Sequence, residues 1–335
     1  MATLYITTQG AKLHKESRRL KVTKDDEEIT TIPLIKVEQV HIFGNVSVTT
    51  PALTWLMSEN IDVIFSNQHG KYRGRIIGET GGQSQLRRWQ YRRVDNTIFA
   101  ANTARVIVKA KLHNSRTLLM RYRRRNNLPQ LTDPIDRLAG LIDRADRSQT
   151  VNSLRGVEGI GAAVYFEAYR QLIQNPDFQF NKRTRRPPTD PTNVLLSFGY
   201  TLLVHQLHSA VEAVGLDPFL GTLHTDAYNR PSMALDLAEE FRSIIVDSIV
   251  LRCINARLIT ADNFSRQPEN PDRPILLDDA GRNTFLREFE QRLALTFTHP
   301  ANGEKVTYRR CFELQARDMA RAIQADGIYQ PFTVR

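Results

Sequence analysis

The sequence predicts an α+β chain of two domains, a small N-terminal β-domain followed by a larger all-α domain. Three observations predict it. Residues 1–78 hold short runs of β-branched and aromatic residues separated by turn-formers. A glycine-rich stretch follows. Beyond it, apolar residues recur at helical spacing. At 335 residues the chain is long enough for two domains, and 41% hydrophobic content suffices for a sizeable core.

In the first part, LYITT, LKVT, EITTIPL, VEQVHIF, IDVIFS and RGRII are the candidate strands. Gln9-Gly10, Asp25-Asp26, Gly44-Asn45 and His69-Gly70 mark turns between them. One helix is expected from Pro51 to Asn60, with Thr50 as its cap and Pro51 at its first position. His14, His41 and His69 are scattered and are expected to be structural or surface residues. Residues 78–83, GETGGQ, break any regular element, so a flexible linker is placed at 79–84 and a helical domain at 85–335.

Gln85 to Arg125 has apolar residues at helical spacing and a dense set of cations, including Arg87, Arg88 and Arg92. Few acids relieve their repulsion, so a nucleic-acid phosphate backbone is the expected counterpart. Asp133 to Ala168 predicts two helices around the glycine-containing break LRGVEGIGAA. Gly159 and Gly161 approach a dinucleotide fingerprint. The residues before them are polar and helical rather than a strand, which excludes it, and no phosphate-binding loop motif occurs. Glu158 is the one acid among those small residues, near an expected helix start.

Residues 177–193 form a proline-rich cationic loop, with Lys182, Arg183, Arg185 and Arg186 placed to touch phosphates. A long apolar helix follows at 194–216. Its His205 and His208 lie among leucines and are expected in a core or interface. Next, GTLHTDAYNRPSMALDLAEEFR puts His224 in a loop and Pro231 at a helix start. Asp236, Glu239 and Glu240 then fall at i, i+3 and i+4, the spacing of one helix face. Their mutual repulsion calls for a counter-charge, and carboxylates with an imidazole suit Mg²⁺ or Mn²⁺. The helix is expected to run on through IIVDSIVLRCINARLI. A polar connection and two helices flanking the basic hairpin HPANGEKVTYRRCF complete the chain.

The formal net charge of +10 and a pI near 9.7 point to a polyanionic partner. No run of about 18 apolar residues suggests a membrane span, and no apolar segment follows a basic start at the N-terminus. Cys253 and Cys311, far apart, make neither a disulfide framework nor a zinc knuckle, which fits a reduced cytoplasmic setting.

The segments GVEGIGAAVYF, DPTNVLLSFGYTLL, GLDPFLGTLH and RPSMALDLAEEFRSIIVD, in this order, resemble the CRISPR-associated integrase of the spacer-acquisition machinery, the Cas-one family. The tail, YRRCFELQARDMARAI followed by YQPF, is similar to the end of that family. The resemblance implies a β-domain, a hinge, an all-helical catalytic domain and a homodimer in the cytoplasm of a prokaryote. It also implies a Mg²⁺ or Mn²⁺ site with Glu158, His224 and Glu239 as ligands, Asp236 as a nearby catalytic acid, and Tyr165 and Arg242 in support. The implied reaction joins the 3′-hydroxyl ends of short DNA fragments into a repeat array by transesterification. A small partner, the Cas-two protein, and double-stranded DNA complete the assembly. The competing expectations are a stand-alone nuclease for branched or damaged DNA, and a DNA-binding module without catalysis.

Overall fold

A computed structural model describes residues 2–78, 83–301 and 303–334. Of the linker expected at 79–84, residues 79–82 lie outside the described residues.

The N-terminal part comprises β1 (Ala2–Ile6), β2 (Lys12–Glu16), β3 (Arg19–Lys24), β4 (Glu27–Pro33), β5 (Val37–Phe43), β6 (Ser47–Val48), α1 (Thr50–Ser58), β7 (Asp62–Ser66) and β8 (Tyr72–Ile76). They make two four-stranded sheets, ordered β1-β5-β7-β8 and β4-β3-β2-β6. β1, β5 and β7 run parallel. Burial of β5 on both faces accounts for its nearly unbroken apolar run. In the second sheet Leu13 faces Val22, and Leu13, Leu20 and Val22 point inward along strands whose other residues are polar. These side chains join Ile6, Val40, Ile42, Leu56 and Val63 in one core. α1 starts one residue earlier than expected. The Thr49 hydroxyl, rather than Thr50, accepts from the Ala52 amide at 3.4 Å, and Pro51 sits inside the first turn.

The helical part begins with α2 (Ser84–Asp95) and α3 (Thr97–Asn126). The single basic stretch of the sequence is thus two helices. The Asn96 side chain, extended between them, accepts from the amides of Ile98 and Phe99 at 3.0 Å and caps α3. α4 (Thr132–Arg147) and α5 (Val151–Tyr169) follow. Here the expectation of a glycine break is corrected. The break lies at residues 148–150, where Thr150 and Ser153 form a reciprocal cap. Gly156, Gly159 and Gly161 sit inside α5, and Glu158 is therefore mid-helix, not at a helix start. A Cβ on Gly161 would stand 2.2 Å from Leu112 Cδ2, so this glycine lets α5 close onto α3.

α6 (Pro191–Val214), α7 (Ser232–Ala238), a π-helical segment (Arg242–Asp247) and α8 (Ser248–Asn255) build the centre. The expected continuous helix after Asp236 is broken. α7 ends at Ala238, a turn occupies 239–241, and the π-helical segment resumes the path. β9 (Phe264–Arg266) pairs with β10 (Ile275–Leu277). α9 (Asp279–Ala294) and α10 (Tyr308–Ala325) flank the hairpin of β11 (Thr296–Thr298) and β12 (Lys305–Thr307). The helical part thus carries two short ribbons. One core unites α3–α10, and Phe43 of β5 joins it through Phe198 of α6.

The seam between the two parts is largely polar. Gln206 donates to Gln39 at 2.6 Å, Arg75 pairs with Glu212 at 2.9 Å, and Tyr5 donates to Glu290 at 2.8 Å. His41, His205 and His208 are buried as expected, and burial next to His208 and Arg75 pulls the His205 imidazole down to about 3. Cys253 and Cys311 are free and buried. Among the described residues, only α6 is long and apolar enough to cross a membrane, and 61% of that stretch is buried inside the protein.

Candidate active site

Glu158 from α5, His224 from the loop before α7, and Glu239 from the turn after α7 meet against α3. The loop is folded by Asp236. Its Oδ2 accepts from the amides of Thr222 and Leu223 at 2.6 and 2.9 Å, and its Oδ1 from the His224 amide at 2.9 Å. Gly221 permits this approach, since a Cβ there would lie 2.7 Å from Asp236 Oδ2. Asp236 Oδ1 also holds His224 Nδ1 at 2.7 Å. That contact places the ring proton on Nδ1 and leaves the Nε2 lone pair 3.7 Å from Glu239 Oε1. Asp236 is fully buried and satisfied, so it stands behind the imidazole as an orienting group.

Glu239 is 3% exposed. The Lys111 ammonium of α3 bridges it at 2.6 Å and contacts Glu158 as well. Arg242 approaches its other oxygen at 3.0 Å. Burial alone would raise the Glu239 carboxyl; the Arg242 and Lys111 cations outweigh it and hold the group ionised. Burial also opposes charge on Lys111, but Glu239 and Glu158 keep it above its ordinary value. Lys111 was not anticipated. Within so basic a stretch, the only sequence signal was its place beside the buried Val108 and Leu112.

The three acids expected on one helix face separate. Glu240 points to the opposite side, because the chain leaves α-helical geometry just before it. It accepts from Tyr329 at 2.6 Å and from the Phe332 amide at 2.7 Å, which straps the C-terminal tail to the core. Burial pushes its carboxyl up to about 8, against the pull of those hydrogen bonds. It is no counterpart of Glu239.

Tyr165 and Arg242 stand beneath the centre. Tyr165 and Tyr200 donate to the two oxygens of Asp247 at 2.7 and 2.6 Å, and Arg242 lies over the Tyr200 ring at 4.6 Å. Burial, partly offset by the two tyrosines, raises the Asp247 carboxyl to about 6. Asp247, Tyr200 and the π-helical segment carrying Arg242 had no signal in the sequence pattern.

A divalent cation is tested by what these donors can do. The set is two carboxylates and an imidazole nitrogen, suited to a hard or borderline ion. Glu239 Oε2 is buried with no aligned hydrogen bond, its Lys111 contact being one of charge alone. Yet among the described residues no group of three or more His, Cys, Asp or Glu side chains stands ready to hold an ion as placed. The ammonium of Lys111 lies between Glu158 and Glu239. By donor chemistry, though not as placed, the set suits a cation where the Lys111 ammonium lies.

The basic residues divide. Arg88 and Arg92 are exposed on α2, whereas Arg87 donates to the Gly215 carbonyl at 3.2 Å. Lys182, Arg185 and Arg186 are exposed. Arg183 donates to Asn193 at 2.7 Å and Ser197 at 3.0 Å and lies over the Tyr200 ring at 5.4 Å, so it braces its loop instead of waiting for phosphate. Arg185 lines a cleft with Lys111, Tyr165 and Arg242.

The model of the CRISPR associated protein Cas1 family matches residues 4–291. The chain is 37% identical to CRISPR-associated endonuclease Cas1 1 of Chlorobaculum tepidum over 99% of its own length and 98% of that protein's. A solved CAS1 protein from Thermotoga maritima matches with a TM-score of 0.83 and 25% identity over the whole of both chains. A chain of a Cas6-RT-Cas1–Cas2 complex matches with a TM-score of 0.82 and 26% identity, over 99% of this chain and 36% of that one.

Proposed function

Because this chain belongs to the CRISPR associated protein Cas1 family, we propose that it is a DNA integrase of spacer acquisition. It joins the 3′-hydroxyl ends of short DNA fragments into a repeat array by transesterification, and cuts DNA when water attacks instead. The name of the Chlorobaculum tepidum relative supports an endonuclease, and the Cas1–Cas2 complex supports a small partner subunit. The observation that carries the reading is the meeting of three separate elements: Glu158 and Glu239 share the Lys111 ammonium, and His224 Nε2 lies 3.7 Å from Glu239.

Glu158, His224 and Glu239 would hold Mg²⁺ or Mn²⁺. Such an ion polarises a phosphodiester and offsets charge on the leaving oxygen. Asp236 keeps the His224 proton on Nδ1 and the Nε2 lone pair free. Arg242, held over Tyr200, keeps a positive charge beside Glu239. Lys182, Arg185 and Arg186, with Arg88 and Arg92, take the DNA backbone through charge and shape. Residues 1–78 form a dimerisation domain and 85–335 the catalytic domain, joined through 79–84; a core confined to residues 4–76 supports that division.

The test is a joining assay. A short duplex with 3′-hydroxyl ends is incubated with a supercoiled repeat-bearing plasmid, Mn²⁺ or Mg²⁺, and the protein with and without its small partner. Wild type yields joined product. His224→Ala and Glu239→Gln lose it by at least about a hundredfold while binding DNA normally, the scale expected for losing catalytic groups. Metal-dependent nicking without joining under any partner condition establishes the stand-alone nuclease instead. Full joining by Glu239→Gln at saturating Mn²⁺ overturns the ligand assignment.

A further inference from the structure

Away from this centre, the last turns of α3 and the β11–β12 hairpin form a second constellation. Phe297, His299, Tyr308 and Phe332 line a cavity of about 480 Å³ with Arg121 and Thr333 at its wall. Its rings are closely set. Phe297 lies 4.5 Å from Tyr308 and 5.3 Å from Phe332, and His299 lies 5.9 Å from Phe332. His299 is 7% exposed. Its Nδ1 accepts from the Ala301 amide at 3.4 Å, which puts the proton on Nε2. Nε2 is buried and has no partner among the described residues. A buried donor without an acceptor is unfavourable, because its lost hydration goes unreplaced.

Arg121 also lines an adjoining groove of about 680 Å³ with Arg123 and Arg124. Arg124 is exposed. Arg121 is ten residues beyond Lys111 on α3, about 15 Å along the helix axis, so this is a different place from the carboxylate centre.

We propose that this constellation is a second nucleic-acid subsite, in which the aromatic cavity takes one unstacked DNA base and the Arg121–Arg124 groove takes its flanking phosphates. Ring walls suit the π-faces of any base, and a carbonyl or ring nitrogen on the base edge supplies the partner His299 lacks. Cations beside the cavity match the phosphate that follows every base. The inference rests on the DNA-handling reading above but uses none of its catalytic residues.

The experiment uses the full chain and two single-stranded oligonucleotides of equal length, one oligo-dT carrying a single 5-iodouracil and one wholly abasic. Wild type binds the thymine strand about tenfold more tightly, the effect of one stacked base. Irradiation places the adduct on peptides spanning 297–308 or 328–334. Thr333→Trp, which fills the cavity from its wall, and His299→Phe, which removes the donor, bind both strands alike. Glu158→Gln retains the preference. Adducts confined to other peptides, or a preference kept by both cavity variants, overturn the base pocket. Equal wild-type binding to the two strands overturns the pocket alone. Binding of neither overturns the DNA-handling reading as well.

Discussion

At the scale of single residues, Lys111 and Asp247 decide how the centre behaves. Lys111 is the counter-ion of two carboxylates, one of them 3% exposed. Removing one member of a buried ion set costs about 3–5 kcal/mol. Lys111→Met is therefore expected to lower the melting temperature in chelator, and added Mn²⁺ to restore more stability in the variant than in wild type. Differential scanning calorimetry in both conditions checks this. Asp247 gives a pH signature. Its folded value is about 6 against an ordinary 3.8, so the folded chain binds the proton more tightly than the unfolded one. That contribution is complete below 3.8 and is lost as pH rises through about 6. Relative to Asp247→Asn, wild type should lose stability between those values and level off above them, in melts across that range. Glu158, His224 and Glu239 were legible as a set only through the family resemblance, since the residue pattern alone left Glu158 near a helix start and Glu239 in an acidic triplet. Lys111 was not, since a lysine among arginines looks the same whether it faces solvent or two acids.

At the scale of elements, α5 shows how spacing alone misleads. Three glycines suggested a break, yet helix pairing selects them for different reasons. Gly161 faces Leu112 at van der Waals limits, while a Cβ on Gly156 or Gly159 meets nothing within 4 Å. Gly156→Ala and Gly159→Ala should each stabilise the fold by about 0.5–1 kcal/mol. Gly161→Val should destabilise it by about 1–3 kcal/mol, because the added methyls push α5 from α3 and carry Glu158 off Lys111. Urea unfolding of the three variants decides. The acid triplet misled for the opposite reason. Its i, i+3, i+4 spacing assumes an unbroken helix, and the turn at 239–241 with the π-helical segment after it sends Glu239 and Glu240 to opposite sides. Hydrophobic periodicity carries no signal for one turn of altered winding. By contrast, the β1, β5 and β7 runs, α6 and the β11–β12 hairpin were legible, since their burial pattern and turn residues are written locally.

At the scale of the whole molecule, the excess of cations is unevenly used. Part of it is internal: Arg75, Arg183, Arg282 and Arg309 hold the seam and the loops together. The exposed remainder includes Lys182, Arg185 and Arg186. Reversing those three to Glu should weaken binding to duplex DNA and lower the slope of log affinity against log salt by about three, one per lost phosphate contact. Arg183→Glu is expected to act through loop unfolding, with a fall in melting temperature that the other three do not share. Titrations at several salt concentrations, paired with melts, separate the two. An unchanged slope in the triple variant would put the DNA on another face.

The bridging ammonium of Lys111 has a consequence for order of loading. A tethered cation competes with any free one at a very high local concentration, so on the proposed reading the carboxylates would accept a divalent ion only when the ammonium has somewhere else to go. A phosphate arriving at the same place offers it that destination. On that reading ion and DNA would assist one another, and by linkage each would raise the affinity of the other by an equal factor. The centre would then be an interlock, its own ammonium holding the two carboxylates until both ligands arrive.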